Sequence, residues 1–250
     1  MPRRRDYANE SLVVHRDSAR CIQTGICLRS LPAVFDTQRR PWVDIDAADP
    51  DLVAETVERC PTGALRYERL DGRPGEQAPR PTLVVPIEDG PLLLVGDLQV
   101  EDPDGTLITR EARLTLCRCG RTHNQPFCDN SHVRRGWQSG ADNLATSDLP
   151  EPREGSTANP TRIVPLRDGS LELRGHLRLC DSSGRPVGDA GRMLLCRCGH
   201  SGNKPFCDST HERVGFESRE PRTAADRLEA ETPAAFTPNP RVPDPQEADR

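Results

Sequence analysis

Two stretches of the chain carry the same four metal-binding side chains at the same spacing. They are Cys117, Cys119, Cys128 and His132 in one, and Cys196, Cys198, Cys207 and His211 in the other. The shared pattern is Cys-x-Cys-x8-Cys-x3-His. Three thiolates and one imidazole suit either a tetrahedral zinc ion or an iron–sulfur cluster. The spacing adds a demand on the backbone. Alternate strand residues share a face but lie far apart, so a Cys-x-Cys pair closes on one metal site only where the chain leaves regular structure. An irregular loop also opens backbone amides, which can hydrogen-bond sulfur and stabilise an anionic centre. A third group, Cys21-x5-Cys27 followed at a distance by Cys60-Pro61, brings the cysteines with a candidate role to nine of ten. The tenth, Cys180, falls opposite Glu101 of the other stretch and reads as an ordinary free thiol.

The elements that must position these residues come from an internal repeat. A shift of 79 positions lays 115–132 on 194–211 without a gap, and upstream it lays Asp89-Gly90 on Asp168-Gly169, Gly96 on Gly175 and Gly105 on Gly184. This period is too long for a solenoid unit and marks tandem small domains. Leu171, Leu173, Leu177 and Leu179 alternate with polar residues as a strand does, and turn residues follow at Asp181 to Gly184. A second short strand, Arg113 to Leu116 or Arg192 to Leu195, runs into each cysteine loop. The first seventy residues differ: Ser11 to Val14 and Trp42 to Ile45 read as strands. Asp49-Pro50 is a helix N-cap with proline at the first turn, and that helix stops at Cys60-Pro61. Segments 68–80 and 138–159 read as linkers, and the proline-rich stretch 218–250 as a disordered tail with a transient helix at Ala224 to Glu231.

The full motif Cys-x-Cys-x2-Ser/Thr-x3-Pro-x-Cys-Asp-x-Ser/Thr-His, with Thr122 or Ser201, Pro126 or Pro205, and Asp129 or Asp208, resembles the CDGSH iron–sulfur domain family. The resemblance implies a 2Fe-2S cluster on three Cys and one His in each copy. The departure is at the family's glycine, which is Asn130 in one copy and Ser209 in the other. Asparagine tolerates a left-handed backbone and serine does so less well. Against the bacterial ferredoxin run Cys-x2-Cys-x2-Cys-x3-Cys-Pro, Cys21 and Cys27 take the first and third ligand places, Cys60 the distant Cys-Pro, and Thr24 the second. This segment resembles a divergent single-cluster ferredoxin domain. Three cysteines fit 3Fe-4S, or 4Fe-4S with an oxygen ligand on the fourth iron. Zinc knuckles in the repeats and three unligated thiols at the N-terminus are the competing readings.

Composition limits the rest. With 250 residues, 24 of them proline, 34% hydrophobic and 4% aromatic, no single large core is available. A net charge of −5 without a basic block argues against nucleic acid. There is no apolar run long enough for a membrane span, and MPRRRDYANE leads into no secretory core, so a cytoplasmic protein with reduced cysteines is expected. No phosphate loop or nucleophile–base pair stands out. The expectation is therefore α+β. A ferredoxin-like domain at 5–68 precedes two β-rich CDGSH domains at 81–137 and 160–217, with the tail at 218–250. The expected function is non-enzymatic electron transfer through two 2Fe-2S clusters and one 3Fe-4S or 4Fe-4S cluster. The alternatives are a cluster carrier or redox sensor, or a zinc module. Arg118, Arg121, Arg134, Arg135, Arg197, Lys204 and Arg213 around the loops are read as solvated charge or as a docking surface for an acidic redox partner. The expected state is a monomer whose two CDGSH units pack as an internal pseudo-dimer.

Overall fold

The computed structural model describes residues 4–145, 149–152 and 160–219. Most of the expected tail, including Ala224 to Glu231, lies outside these residues. The regular structure of the described chain is mostly strand, with one helix of nine residues and three shorter ones.

The N-terminal unit is a three-stranded antiparallel sheet of β1 (Arg4–Ala8), β2 (Leu12–Asp17) and β3 (Leu65–Arg69), with β2 central. Helices α1 (Ile26–Ser30) and α2 (Pro50–Glu58) lie between β2 and β3 in the chain. Asp49 caps α2 as its sequence predicts, accepting the Asp51 amide at 2.8 Å. Val53 and Val57 enter a core with Leu12, Val14, Val34, Phe35 and Leu65. Trp42 to Ile45 does not form a sheet strand. Its pairing is one bridge, Phe35 to Val43, and the chain then turns into a 3₁₀ turn at Ile45–Ala47. Pro41 supplies no amide to extend the ladder, and the flanking Asp36 and Asp44 amides close the short ribbon on the Trp42 and Val34 carbonyls.

The repeats build one six-stranded sheet from β4 (Thr82–Pro86), β5 (Leu92–Glu101), β6 (Leu107–Leu116), β7 (Thr161–Pro165), β8 (Leu171–Cys180) and β9 (Pro186–Leu195). Each copy gives its first strand to both halves. The first half of β5 pairs antiparallel with β4, while its second half pairs parallel with β7 of the other copy. The same holds for β8, with β7 and then β4. The switch falls at a bulge in each long strand, between Val95 and Leu98 and between Arg174 and Leu177. Gly96 and Gly175 sit in those bulges because the opposite threonine leaves no room. A Cβ on Gly96 would lie 2.3 Å from Thr82 Oγ1, and one on Gly175 would lie 2.8 Å from Thr161 Oγ1. Thr82 and Thr161, equivalent residues of the two copies, share a buried hydrogen bond of 2.7 Å at the centre of this pseudo-two-fold arrangement. One core spans both copies, joining Leu92, Leu94, Leu114, Leu116 and Phe127 to Leu171, Leu173, Met193, Leu195 and Phe206. Leu144 and Leu149 of the segment expected as a linker pack against it. Cys180 is buried on the sheet's other side among Leu83, Val85, Ile87, Leu93 and Val95.

Candidate metal centres

β6 and β9 each end one residue before the first cysteine of a loop. The loop then folds back on its own strand: the Cys117 amide donates to the Pro126 carbonyl at 2.9 Å, and the Cys128 amide to the Thr115 carbonyl at 3.0 Å. The second copy repeats this, from Cys196 to Pro205 at 2.8 Å and from Cys207 to Leu194 at 2.9 Å. The return brings the distant third cysteine back beside the Cys-x-Cys pair. Thr122 Oγ1 donates to the Phe127 carbonyl and accepts the Asn124 amide, and Ser201 does the same with Phe206 and Asn203. Asp129 spans the loop and the following one-turn helix α3 (Ser131–Arg134), accepting the His123 and Ser131 amides. Asp208 does likewise with Gly202 and Thr210 before α4 (Thr210–Arg213). The motif's hydroxyl and carboxylate are therefore loop braces.

Neighbouring protein costs the exposed Asp208 carboxylate some hydration, but the donors from Gly202 and Thr210 outweigh this and hold its pKa down to about 2. Because the folded value is depressed, the stabilisation is present above the ordinary carboxylate range and is lost as pH falls toward 2. Asp208→Asn should remove that acid limb. Its stability should fall less than that of the wild type between pH about 4 and about 2 in urea melts, and equal slopes would refute the brace.

Each donor set is arranged as two pairs. Cys117 Sγ lies 3.7 Å from Cys119 Sγ, and Cys128 Sγ lies 3.5 Å from His132 Nδ1. In the second set the separations are 3.8 Å for Cys196 and Cys198 and 3.4 Å for Cys207 and His211. A tetrahedral metal with sulfur at about 2.3 Å requires a sulfur–sulfur edge of about 3.8 Å, so each pair is spaced to chelate one metal atom. Among the described residues no three such donors converge on one ion. Backbone amides aim at the sulfurs: Gly120 and Thr122 at Cys117, Arg121 at Cys119, Asn130 at Cys128, and Gly199 and Ser201 at Cys196. In each Cys-x-Cys pair a shared hydrogen bond lowers one thiol and raises the other. In the second copy it is Cys196 that is lowered, by the hydrogen bond shared with Cys198 and by the Ser201 and Gly199 amides. Burial pushes Cys128 and Cys207 up, so these require a metal to lose their protons near neutrality. The donor set fits a two-iron cluster, one metal per pair with amides around the sulfurs.

Asn130 and Ser209 both stand in the left-handed region, at φ 68° and 63°, where the CDGSH pattern has glycine. Asparagine and serine thus accept the same backbone, and the second loop keeps the geometry of the first. A left-handed non-glycine residue costs roughly 1–2 kcal/mol, and glycine returns part of that as chain entropy. Ser209→Gly should raise stability by about 0.5–1 kcal/mol, read as a higher denaturant midpoint. Ser209→Val should lower it, and a destabilised glycine variant would contradict the strain.

The two loops meet. Cβ atoms on Gly120 and Gly199 would fall 2.5 Å from the Cys198 carbonyl and 2.7 Å from the Cys119 carbonyl, so glycine permits each loop to press on the other. Trp137 Nε1 donates to the Gly199 carbonyl at 3.2 Å. Two of the arginines expected in solvent are buried. Arg118 donates to the Gly90, Ile87 and Asp142 oxygens, and Arg197 to the Gly169 and Leu166 carbonyls. They pin each loop to the Asp-Gly turn of its copy; a guanidinium can be buried because its planar donors are shared among several oxygens. Burial pulls Arg197 down to about 10. Arg121, Arg134, Arg135 and Arg213 remain exposed. His15, His123 and His176 pair with Asp6, Asp129 and Asp189.

Cys21, Cys27 and Cys60 gather at the N-terminal unit, close enough to feel one another's charge. Burial, and then Cys60 and Cys21, push the Cys27 thiol up to about 12. Gln23 and Gly25, at φ 59° and 74°, coil the loop between Cys21 and Cys27. Thr24 is buried there with Oγ1 facing the Ile26 amide at 3.5 Å. Cys60 Sγ meets Thr62 Oγ1 at 3.5 Å. None of the ten cysteines is in a disulfide.

Comparison with known proteins agrees with this layout. Residues 7–70 match the family described as divergent 4Fe-4S mono-cluster. Residues 89–133 and 168–212 both match the iron-binding zinc finger CDGSH type. Similar over 63 residues, at 35% identity, are the "Uncharacterized protein YjdI" of Escherichia coli K12 and that of Escherichia coli O157:H7. The match spans 25% of this chain and 83% of each of those proteins. No helix among the described residues is long and apolar enough to cross a membrane. The chain belongs to the iron–sulfur-binding proteins that join a divergent 4Fe-4S mono-cluster domain to tandem CDGSH domains.

Proposed function

We propose that the protein transfers single electrons. It would use a 2Fe-2S cluster on Cys117, Cys119, Cys128 and His132, a second on Cys196, Cys198, Cys207 and His211, and one 3Fe-4S or 4Fe-4S cluster on Cys21, Cys27 and Cys60. The observation that carries this is the grouping of each CDGSH donor set into two chelating pairs rather than one tetrahedron. A zinc knuckle asks four donors to share one ion. When bound, such clusters accept and return one electron at a time. The chain's own part is to hold the sulfurs, supply amides that favour negative charge, and keep water from the buried pairs. Protein purified without oxygen should be coloured and contain iron with acid-labile sulfide. A colourless protein holding only zinc would overturn the reading.

A cluster carrier is the second reading, favoured by the partial exposure of Cys207 and His211. Reversible reduction without cluster loss supports electron transfer; delivery to a metal-free acceptor supports the carrier. The exposed Arg121, Arg135 and Arg213 would suit an acidic partner. Because the two copies exchange strand pairings within one chain, a monomer is expected in sedimentation at micromolar concentration, and an obligate dimer would contradict it.

For the N-terminal centre, Thr24 holds the second ligand place of the ferredoxin pattern with a side chain too short and too weakly acidic to replace thiolate. Thr24→Cys should convert an oxidised 3Fe-4S electron paramagnetic resonance signal into that of a stable 4Fe-4S form. An unchanged signal would place Thr24 away from the open corner.

A further inference from the structure

The two CDGSH donor sets have the same sequence pattern and loop geometry, yet their surroundings differ. Cys128 and His132 are both 3% exposed. Their counterparts are more open: Cys207 is partly exposed, and the His211 side chain is 15% exposed. Phe127 and Phe206 differ in the same direction. The cause lies outside the repeat. Ile22, the residue after Cys21, packs directly on Cys128. Arg20 stacks its guanidinium 4.5 Å above the Phe127 ring, and Asn124 Nδ2 donates to the Ala19 carbonyl at 3.0 Å.

Among the described residues, anchors for this cover exist in the first copy alone. Glu111 binds Arg20 at 2.5 Å and Arg66 at 2.9 Å. Arg113 reaches the Val57 and Leu65 carbonyls. The position 79 residues after Glu111 is Ala190, which can bind neither arginine. Arg192, the counterpart of Arg113, turns instead to Glu172 at 2.6 Å and is 46% exposed. At Asn203, the counterpart of Asn124, the partner is the exposed Asn143 side chain rather than the Ala19 carbonyl. The Cys60 loop presses on the same strand: a Cβ on Gly63 would lie 2.8 Å from the Arg113 carbonyl.

We propose that the N-terminal unit is a built-in cap on the first CDGSH donor set, and that the uncapped second set, at Cys207 and His211, is where outside thiols, chelators or an acceptor protein exchange metal with this chain. The inference rests on the reading of both sets as cluster ligands. Exchange at the first set requires the Ile22 contact to open, whereas the second is reached from solvent directly.

Two measurements on the full chain test it. On the metal-free protein, iodoacetamide labelling read by peptide mass spectrometry should modify Cys207 about tenfold faster than Cys128, the ratio set by the free energy of opening the cap. Ile22→Ala and Glu111→Gln should each speed labelling of Cys128 and leave Cys207 unchanged. On the iron-loaded protein, a ferrous chelator should remove CDGSH iron in two phases of equal amplitude, and the same substitutions should accelerate the slow phase. Equal labelling of Cys128 and Cys207 in the wild type would overturn the cap, and so would a contrast that both variants leave intact. If the protein binds no iron while the labelling contrast stands, the cluster assignment fails and the cap survives.

Discussion

Glu111→Ala should cost about 3–5 kcal/mol of stability, the range for removing one partner of a buried ion pair. The Glu111 side chain is 3% exposed and accepts from Arg20, Arg66 and Thr109, so its loss strands the Arg20 guanidinium, 4% exposed at its side chain, without its ion-pair partner. Burial already disfavours that charge, and Glu111 is the main group offsetting it. Among the described residues Arg20 Nε and Nη2 find no hydrogen-bond partner, so Glu111 cannot be replaced by redundancy within the side chain. The comparison residue is Asp51, which pairs with Arg69 and Arg73 at the surface. Exposed pairs contribute about 0–1 kcal/mol, so Asp51→Ala should be nearly silent. Urea denaturation of the two variants reads the difference. The loss in Glu111→Ala should appear first in the N-terminal unit, since Glu111 ties β6 to the loop after β2 through Arg20 and to β3 through Arg66. A loss under 1 kcal/mol would show that the units are held by apolar contact alone.

What the sequence reveals and what it hides divide along physical lines. Both donor sets, the strand alternation of the repeat and the Asp49 cap are local patterns, and the structure places them where the spacing says. The third cysteine's return beside the first two follows from the loop closing on its own strand. The exchange of β4 and β7 is different. A five-residue strand pairs equally well with a neighbour from its own copy or the other, and parallel pairing leaves no local mark. Gly96 and Gly175 were the available signal: glycines inside strands at matching places point to a bulge or a close approach. Arg118 and Arg197 read as solvated because charge alone does not report the ring of carbonyls that buries them. Glu111 was hidden for the same reason, and its replacement by Ala190 in the second copy was the clue that it acts in the first copy only. Trp42 to Ile45 has strand-forming residues, but a two-residue ribbon beside Pro41 is all the backbone allows.

The histidine corners offer the second large effect. His132 and His211 present Nδ1 to the sulfur of the third cysteine, the nitrogen through which each would hold a metal. An imidazole must be free of a proton on its ligating nitrogen, whereas a thiolate on ferric iron is much harder to protonate away. Acid should therefore break the proposed centres at histidine first, at pH below the ordinary imidazole value of about 6.5. His132→Cys and His211→Cys should each slow the loss of visible absorbance at pH about 5.5 for one centre by about tenfold or more, and the double variant should slow both. The added thiolate also brings a negative charge, so each substitution should lower the potential of its own centre. The two single variants are not expected to behave alike. Cys207 and His211 are more open than Cys128 and His132, so the fast acid phase of the wild type should belong to the second set. His211→Cys should remove that fast phase and His132→Cys should leave it in place. The measurement is stopped-flow absorbance of wild type, both single variants and the double variant after a jump from neutral pH. Equal decay in all four proteins would show that histidine is not the acid-labile ligand, and would take away the chemical basis for release from this side of the cluster.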